Sequence, residues 1–368
     1  WQRATASAGR SARVLTIEVA QAPSPPCRWR FTKGLDAGSL WSERDSNERC
    51  ILRADASQAV GAALADFAEW IAGFGVGTPG GPLGRVAILT FTAIADALRL
   101  GLGLQVDKPR FVAGAAADAI SEVVQRLQGT LRLEVEIGHF GAAERGLDAW
   151  RDVDAIAILG APRPPVDALL AEIQARPLDV DPDVLDELAR RLVAEDVADR
   201  MAQGVGRPRH LRRAGHEPLI YIAASVGVPP GPHLPGVVAD ATVADRQTAA
   251  ARWARVRRLL AALQDAEADG AIAVPPGLAG SAAGAAQAAC EAAAAVLGWV
   301  RWKVPTRGRS IGVWAASFSA AVIVAAARDP GIYGRLAPDA YGVAAPQSGA
   351  ACVGRYLASE IGRGSDAS

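Results

Sequence analysis

Four arginines crowd the stretch Met201 to Arg213, MAQGVGRPRHLRR, at positions 207, 209, 212 and 213. A guanidinium is planar, permanently charged and able to grip two phosphate oxygens at once. An arginine delivered to the γ-phosphate of a nucleoside triphosphate stabilises transition-state charge, an effect worth ~10³–10⁵ in rate in known NTPases. Gly206 lets the backbone approach a ligand closely, and Gln203 offers an amide beside it. A second group, Arg145-Gly146-Leu147-Asp148, combines a cation, a flexible residue and a carboxylate, with His139 upstream. Such a loop suits contact with a phosphate or a ribose. A third group, Arg301, Lys303, Arg307 and Arg309, suits salt-dependent contact with a nucleic-acid backbone. The plain alternatives are a solvated basic turn for the first group and an ordinary connecting loop for the second.

These groups need elements to position them. Leu131 to Ile137 alternates Leu131, Leu133, Val135 and Ile137 with Arg132, Glu134 and Glu136, the period of a half-buried strand. Ala155 to Leu159 has no polar residue after Asp154 and suits a strand buried on both faces. Arg85 to Phe91, RVAILTF, predicts a third strand, followed by a helix over Thr92 to Leu100 with Thr92 as its cap. Helices are predicted over Ala115 to Leu127, closed by Gly129, and over Val166 to Ala175. Another is predicted over Pro182 to Arg200, with Val184, Leu188, Leu192 and Val193 as its apolar face. Glu217 to Val226 predicts another strand. Strands alternating with helices define an α/β class with a mostly parallel sheet. In such sheets ligands sit outside the carboxyl ends of the strands, where the Arg145 loop falls.

Glu144-Arg145-Gly146-Leu147-Asp148, then Asp152 to Ile156, then Pro162 to Pro165, resemble motif V of the superfamily 2 helicases. Gln203, Gly206 and Arg207 match in place the Gln-x-x-Gly-Arg core of motif VI, and Arg85 to Leu100 is similar to the motif IV region. The resemblance covers roughly Arg85 to Pro230. It implies the second, C-terminal RecA-like domain of an ATP-dependent helicase or translocase. It implies Arg207 and Arg209 as catalytic arginines and Gly146, Asp148, Gln203 and Gly206 as nucleotide-binding. It places His139 and Arg145 on the nucleic acid, read as DNA. Two departures stand out. Phe140 occupies a position where the family often has Thr. His210 stands where the last motif VI arginine commonly falls, so Arg209 takes that role here. No Walker A or Walker B sequence is present, and Asp186-Glu187 falls inside an amphipathic helix. The cofactor implied is ATP with Mg, held mainly by an N-terminal RecA-like domain outside this chain, so the chain alone is expected not to hydrolyse ATP. The alternative is a non-enzymatic nucleic-acid-binding module that retains the fold. A Rossmann-type enzyme would need a glycine fingerprint and an acidic residue beyond it, and neither is found.

Length and composition set the frame. The 368 residues suggest two or three domains, and 50% hydrophobic content supports sizeable cores. With 39 basic and 39 acidic residues the net charge is zero, so any nucleic-acid contact must be local. Cys27, Cys50, Cys290 and Cys352 lack the spacing of a zinc or redox pair, and no metal site is expected. Residues 1–57 read as irregular, with strand-like runs at Arg13 to Ala20 and Cys50 to Arg53. The basic, aromatic run Arg28-Trp29-Arg30-Phe31 suits either base stacking or a solvated loop. Ser57 to Ala72 places Val60, Leu64, Phe67 and Ile71 on one helical face, and residues 73–84 read as a flexible glycine-rich connector.

The RecA-like domain is expected over 58–236, ending in a Pro-rich linker at 229–235. A smaller, mostly helical accessory domain follows over 241–330, compatible with a winged helix or with a plain α/β cap. Within it, Asp245 to Gln264 predicts a helix with one stripe of Trp253, Val256, Leu260 and Leu263 and another of Arg252, Arg255 and Arg258. Ala282 to Leu297, capped by Ser281, predicts a second helix. Trp299 to Val304 and Ser310 to Ala315 predict a hairpin with a basic tip. Residues 331–368 read as a tail. There is no signal peptide, and the apolar run Gly312 to Ala327 is too short to span a bilayer. The chain is therefore read as soluble and cytoplasmic, without a membrane partner. Starting at Trp1, it is also read as the C-terminal part of a longer protein.

Overall fold

The computed structural model describes residues 28–33, 35, 37–141, 148–162, 182–205, 218–224, 248–305 and 310–328. The first elements are β1 (Arg28–Lys33), α1 (Ala37–Leu40), β2 (Trp41–Arg44), β3 (Cys50–Leu52) and α2 (Ala56–Ala72). Then come β4 (Gly84–Thr90), α3 (Thr92–Gly101), α4 (Ala115–Thr130), β5 (Leu133–His139) and a 3-10 turn at Asp148–Asp152. β6 (Ala155–Leu159), α5 (Pro182–Val205) and β7 (Leu219–Ala224) follow. The last group is α6 (Ala249–Asp269), β8 (Ala271–Ala273), α7 (Gly280–Leu297), β9 (Val300–Pro305), β10 (Ser310–Ala315) and α8 (Phe318–Arg328).

Five strands form one sheet in the order β1-β7-β6-β4-β5, and every pairing in it is parallel. The α/β class expected from the sequence is observed. Alternation along each strand divides the sheet into two apolar faces. Val86, Ile88, Ala157 and Tyr221 face α2, α3 and α4, whose Phe67, Ile94, Leu98 and Val124 join the same core. Leu89, Ile156, Ile158, Ile220 and Ile222 pack on the other face against Trp150, Val197 and Met201. β6 is buried at every position because it lies between β4 and β7 with both faces covered. β5 lies at the edge, and there Leu133 and Val135 are buried while Glu134 is exposed. Each fully buried Leu, Ile or Phe contributes up to about 1.5–3 kcal/mol.

The connection from β4 to its edge neighbour β5 runs over the first face, through α3 and α4. The returns toward β6 and β7 run over the second face, past Trp150 and α5. Opposite directions with opposite faces satisfy a single crossover hand. The chain therefore diverges between β4 and β6, and a crevice opens at their carboxyl ends.

Beyond β7 the chain comes back over the first face. α6 lies on α2, and its Trp253, Val256, Leu260 and Leu263 belong to the same core as the parallel sheet. β8, β10 and β9 form a three-stranded antiparallel sheet, with β10 central. Val322 and Ala325 of α8 cover it and share a core with Val304 and Val313 of the sheet. The predicted hairpin is present as β9 and β10; its third strand, β8, had too short a run to be legible.

Several local expectations are corrected. Residues 28–33, read as a loop or a base-stacking surface, form β1, which pairs along its length with β7. Its own sequence carried no turn signal against that pairing. Thr92 is the first helical residue of α3 rather than its cap; Phe91 holds the cap position in an extended conformation. Ser281 likewise lies inside α7, behind Ala279. Gly129 falls within α4, which continues to Thr130. The glycine-rich segment after α2 is a built turn, not a flexible connector. Arg132 N donates to Gly77 O at 2.8 Å, and Thr78 Oγ1 donates to Gly75 O at 2.9 Å. Gly77 has φ of +67° and no room for a Cβ beside Leu133. This turn sits at the amino end of β4, the end remote from the crevice. The strand-like run at 13–20, the helix at 166–175, the linker at 229–235 and the tail at 331–368 lie outside the described residues.

Candidate functional site

Three strand exits and one helix end frame the crevice. Thr90 closes β4, and its buried hydroxyl donates to Leu159 O of β6 at 2.9 Å, bridging the point of divergence. Thr90 O accepts from Phe140 N at 2.9 Å, which ties the β5 exit to the β4 exit. Gly160 N donates to Ala223 O at 2.6 Å, tying the β6 exit to β7. Gly160 has φ of +91°, and a Cβ there would run into the Phe91 ring. The sequence needs glycine at this position for both reasons. Phe91 meets Trp41 edge-on with centroids 5.4 Å apart, and meets Phe140 at 5.5 Å. The crevice therefore has an aromatic wall, and α3 starts directly from it. Its first turn offers backbone N–H groups of the kind that hold anions.

α5 enters this region at its C-terminal end. Gly204 packs on Leu89 and Ile158, each one residue short of its strand's carboxyl end. A Cβ at 204 would lie 2.9 Å from Leu89 Cδ2, so a larger residue would have to displace that methyl for the helix to come this close. Gln203 is exposed beside it, within the last turn of α5 rather than in a loop after the helix. The apolar stripe continues past Arg200 through Met201, which is why the helix extends to Val205. His139 ends β5 half-buried, with Nδ1 2.9 Å from Phe140 O, a contact that needs the proton on Nδ1.

Of the residues singled out from the sequence, the fold brings His139 and Gln203 to the same carboxyl edge. Asp148 opens the 3-10 turn that leads down to Trp150, and its side chain is not among those described. Arg145, Gly146, Gly206, Arg207 and Arg209 lie outside the described residues, as do Arg307 and Arg309 at the hairpin tip. Arg301 and Lys303 are exposed on β9 of the antiparallel sheet and do not join the crevice. The Arg301 guanidinium lies over the Trp314 ring, 5.0 Å from its centroid.

Asp152-Val153-Asp154, part of the first signature, has a structural role in its last residue. Asp154 Oδ2 accepts from Arg85 N at 2.8 Å and Asp154 N donates to Arg85 O at 2.7 Å, registering the starts of β4 and β6.

Sequence reasoning missed a buried ionic cluster on the first face. Asp66 of α2 accepts from Arg30 Nε at 3.1 Å, Arg30 Nη2 at 2.6 Å and Tyr221 Oη at 3.0 Å, and it pairs closely with Arg252 Nη1. Arg255 Nη2 lies 2.8 Å from Glu69 Oε2, one helical turn along. Burial lowers the Arg252 pKa, and repulsion from Arg30 and Arg255 lowers it further. The available signal was a carboxylate set between Ala65 and Phe67 on the apolar side of a helix. Such a residue needs a buried partner.

No family model, curated protein or solved structure matches the chain. Among the described residues no group of three or more His, Cys, Asp or Glu is placed to hold a metal ion. No described helix is long and apolar enough to cross a membrane.

Proposed function

We propose that the carboxyl edge of the parallel sheet is a phosphate-facing surface, and that the chain is the second RecA-like half of an ATP-dependent nucleic-acid helicase or translocase. The observation that carries this reading is convergence. The strand leading into the motif V-like loop ends in His139. The helix leading into the motif VI-like arginines ends beside Leu89 and Ile158. Both segments therefore leave from the end of the sheet where α/β proteins bind ligands. In this reading Arg207 and Arg209 reach the γ-phosphate of ATP with Mg held by a partner RecA-like domain. Gln203, Gly206, Gly146 and Asp148 border the nucleotide, and His139 and Arg145 follow a DNA strand. The hairpin residues Arg301, Lys303, Arg307 and Arg309 add backbone contacts in the manner of a wing.

A second reading keeps the nucleic acid and drops the catalysis. What favours it is the aromatic wall of Trp41, Phe91 and Phe140, a surface of the kind on which bases stack.

The test uses the chain and the chain joined to an ATPase half. Alone it should turn over negligible ATP and bind labelled single-stranded DNA with a salt-dependent affinity. Joined, Arg207→Ala should lower turnover by ~10³-fold or more with little change in ATP affinity, because the arginine acts on transition-state charge. Robust turnover by the chain alone, or unchanged turnover in Arg207→Ala, removes the helicase reading. DNA binding that persists without any ATP dependence selects the second.

A further inference from the structure

A slot-shaped cavity of about 510 Å³ opens beside the C-terminal end of α2, where α6 packs on α2 and on α7. Val256 and Leu259 of α6 form its floor, Trp70 and Phe74 of α2 one side, and α7 the other. Ala285, Ala288, Ala289 and Ala292 fall at helical spacing, so the α7 wall is a row of methyl groups too short to cross the gap. Trp70 and Phe74 meet edge-on with centroids 5.7 Å apart, and Phe74 is left 41% exposed.

The slot is bounded along its length. α2 and α6 run side by side in the same direction, since Asp66 meets Arg252 and Glu69 meets Arg255. The ionic cluster therefore stands at the end before Trp70. At the other end the turn after α2 meets α7, where a Cβ on Gly75 would lie 3.2 Å from Val296 Cγ1. A docking helix is about 10 Å across and needs a groove open along its axis, so a pit bounded at both ends suits a small molecule. The volume agrees, because small-molecule sites commonly span about 300–1,000 Å³.

Charged groups on the rim are engaged with carboxylates of the fold: Arg30 with Asp66 at 2.6 Å and Arg255 with Glu69 at 2.8 Å. Arg258 is exposed and keeps its charge in water. Selection therefore falls to the apolar walls. Water fills such a space poorly, because a buried water typically needs about three polar partners. A charged ligand would give up hydration against methyl and ring surfaces. An uncharged aromatic body escapes that cost and gains ring contacts with Trp70 and Phe74.

We propose that this slot binds a small uncharged aromatic molecule, held between the Trp70–Phe74 pair and the alanine wall of α7. It neighbours the turn that leads into the amino end of β4, remote from the sheet-edge crevice, and does not depend on the reading given to that crevice.

The test is calorimetric titration of the full chain with 2-naphthol, 2-naphthoate and 2-naphthylmethylammonium. The neutral alcohol should bind saturably at one site, and both charged analogues about tenfold or more weakly. Ala289→Leu, which fills the slot from α7 with a good helix former, should abolish 2-naphthol binding while the thermal transition stays in place. Ala285→Leu, one turn earlier on the same face, makes the same test if the first variant unfolds. No binding of 2-naphthol, equal or tighter binding of either charged analogue, or full binding by a leucine variant that remains folded overturns the proposal. So does a dimer, seen by light scattering, that either leucine substitution dissociates, because the slot would then belong to a second copy. The leucine variants leave the sheet edge untouched, so failure here leaves that reading to its own test.

Discussion

Replacing Asp66 by Asn should be among the most destabilising single changes in the chain. The side chain is isosteric, so packing against Ala65, Phe67 and Tyr221 is kept and only the charge goes. In the native protein the Asp66 side chain is 3% exposed and that of Arg252 9% exposed, with Arg30 at 19%. Removing the carboxylate takes the nearest counter-charge from two guanidiniums in low dielectric, leaving Arg252 the more distant Glu69 at 3.8 Å, and the new amide N–H₂ points at donors. Breaking a buried pair from one side typically costs about 3–5 kcal/mol. The reverse change, Arg252→Met, leaves Asp66 with Arg30 and Tyr221 and should cost less, about 1–3 kcal/mol. The double variant removes the conflict, so its cost should fall well short of the sum, with a coupling of about 1.5 kcal/mol or more. Urea unfolding followed by circular dichroism measures all four proteins; the midpoints should shift while the slope stays constant. A cost for Asp66→Asn below about 1 kcal/mol, the size found for exposed pairs, or strict additivity in the cycle, would refute the argument.

Other expectations follow from single features. Gly160→Ala places a Cβ at φ of +91° against Phe91 and should cost about 1–3 kcal/mol in the same assay, with a changed near-ultraviolet signal from the displaced aromatic wall. Burial raises the Cys50 thiol pKa, against a smaller opposing effect of Arg44. The folded state therefore holds the thiol proton more tightly than the unfolded chain does. The stability this contributes is complete below the free-thiol pKa and is lost as pH rises through the folded value. Iodoacetamide should accordingly modify Cys50 slowly at neutral pH and faster after denaturation, and uniform rapid labelling of native protein would contradict the burial. Arg307→Ala with Arg309→Ala should weaken duplex binding and flatten its log–log salt slope by about two. A slope equal to the parent's would place the hairpin outside the contact.

The sequence was most readable where burial is two-sided or strictly periodic. Ala155 to Leu159 has no polar residue, and it became the strand sandwiched between β4 and β7. Val60, Leu64, Phe67 and Ile71 share a helical face, and all four are buried in α2. The crevice was legible only in outline. His139 could be assigned to a strand exit, but the approach of α5 depends on Gly204 fitting against Leu89 and Ile158, a tertiary match that no local pattern encodes. β1 was missed for a related reason. Arg28 to Phe31 alternates charges and aromatics, but the run is short and follows Pro23, Pro25 and Pro26, and its pairing with β7 links residues far apart in the chain. The arginine stripe of α6 was seen, yet Arg252 looked like any solvated charge. Its partner Asp66 lies 186 residues away, beyond any motif.

The placement of β1 also fixes an order of events during synthesis. Among the described residues its strand neighbour is β7, which leaves the ribosome well after β4, β5 and β6. Those three strands can pair as they emerge, β4 with β5 and then with β6. β1 instead must wait for its β7 partner until Leu219 to Ala224 has been made. During that interval the edge of β1 that will meet β7 is open, the feature most prone to pairing with another chain. Arrest of translation ahead of β7 would therefore yield an aggregation-prone product, whereas release after α6 would yield one in which β1 has its β7 partner.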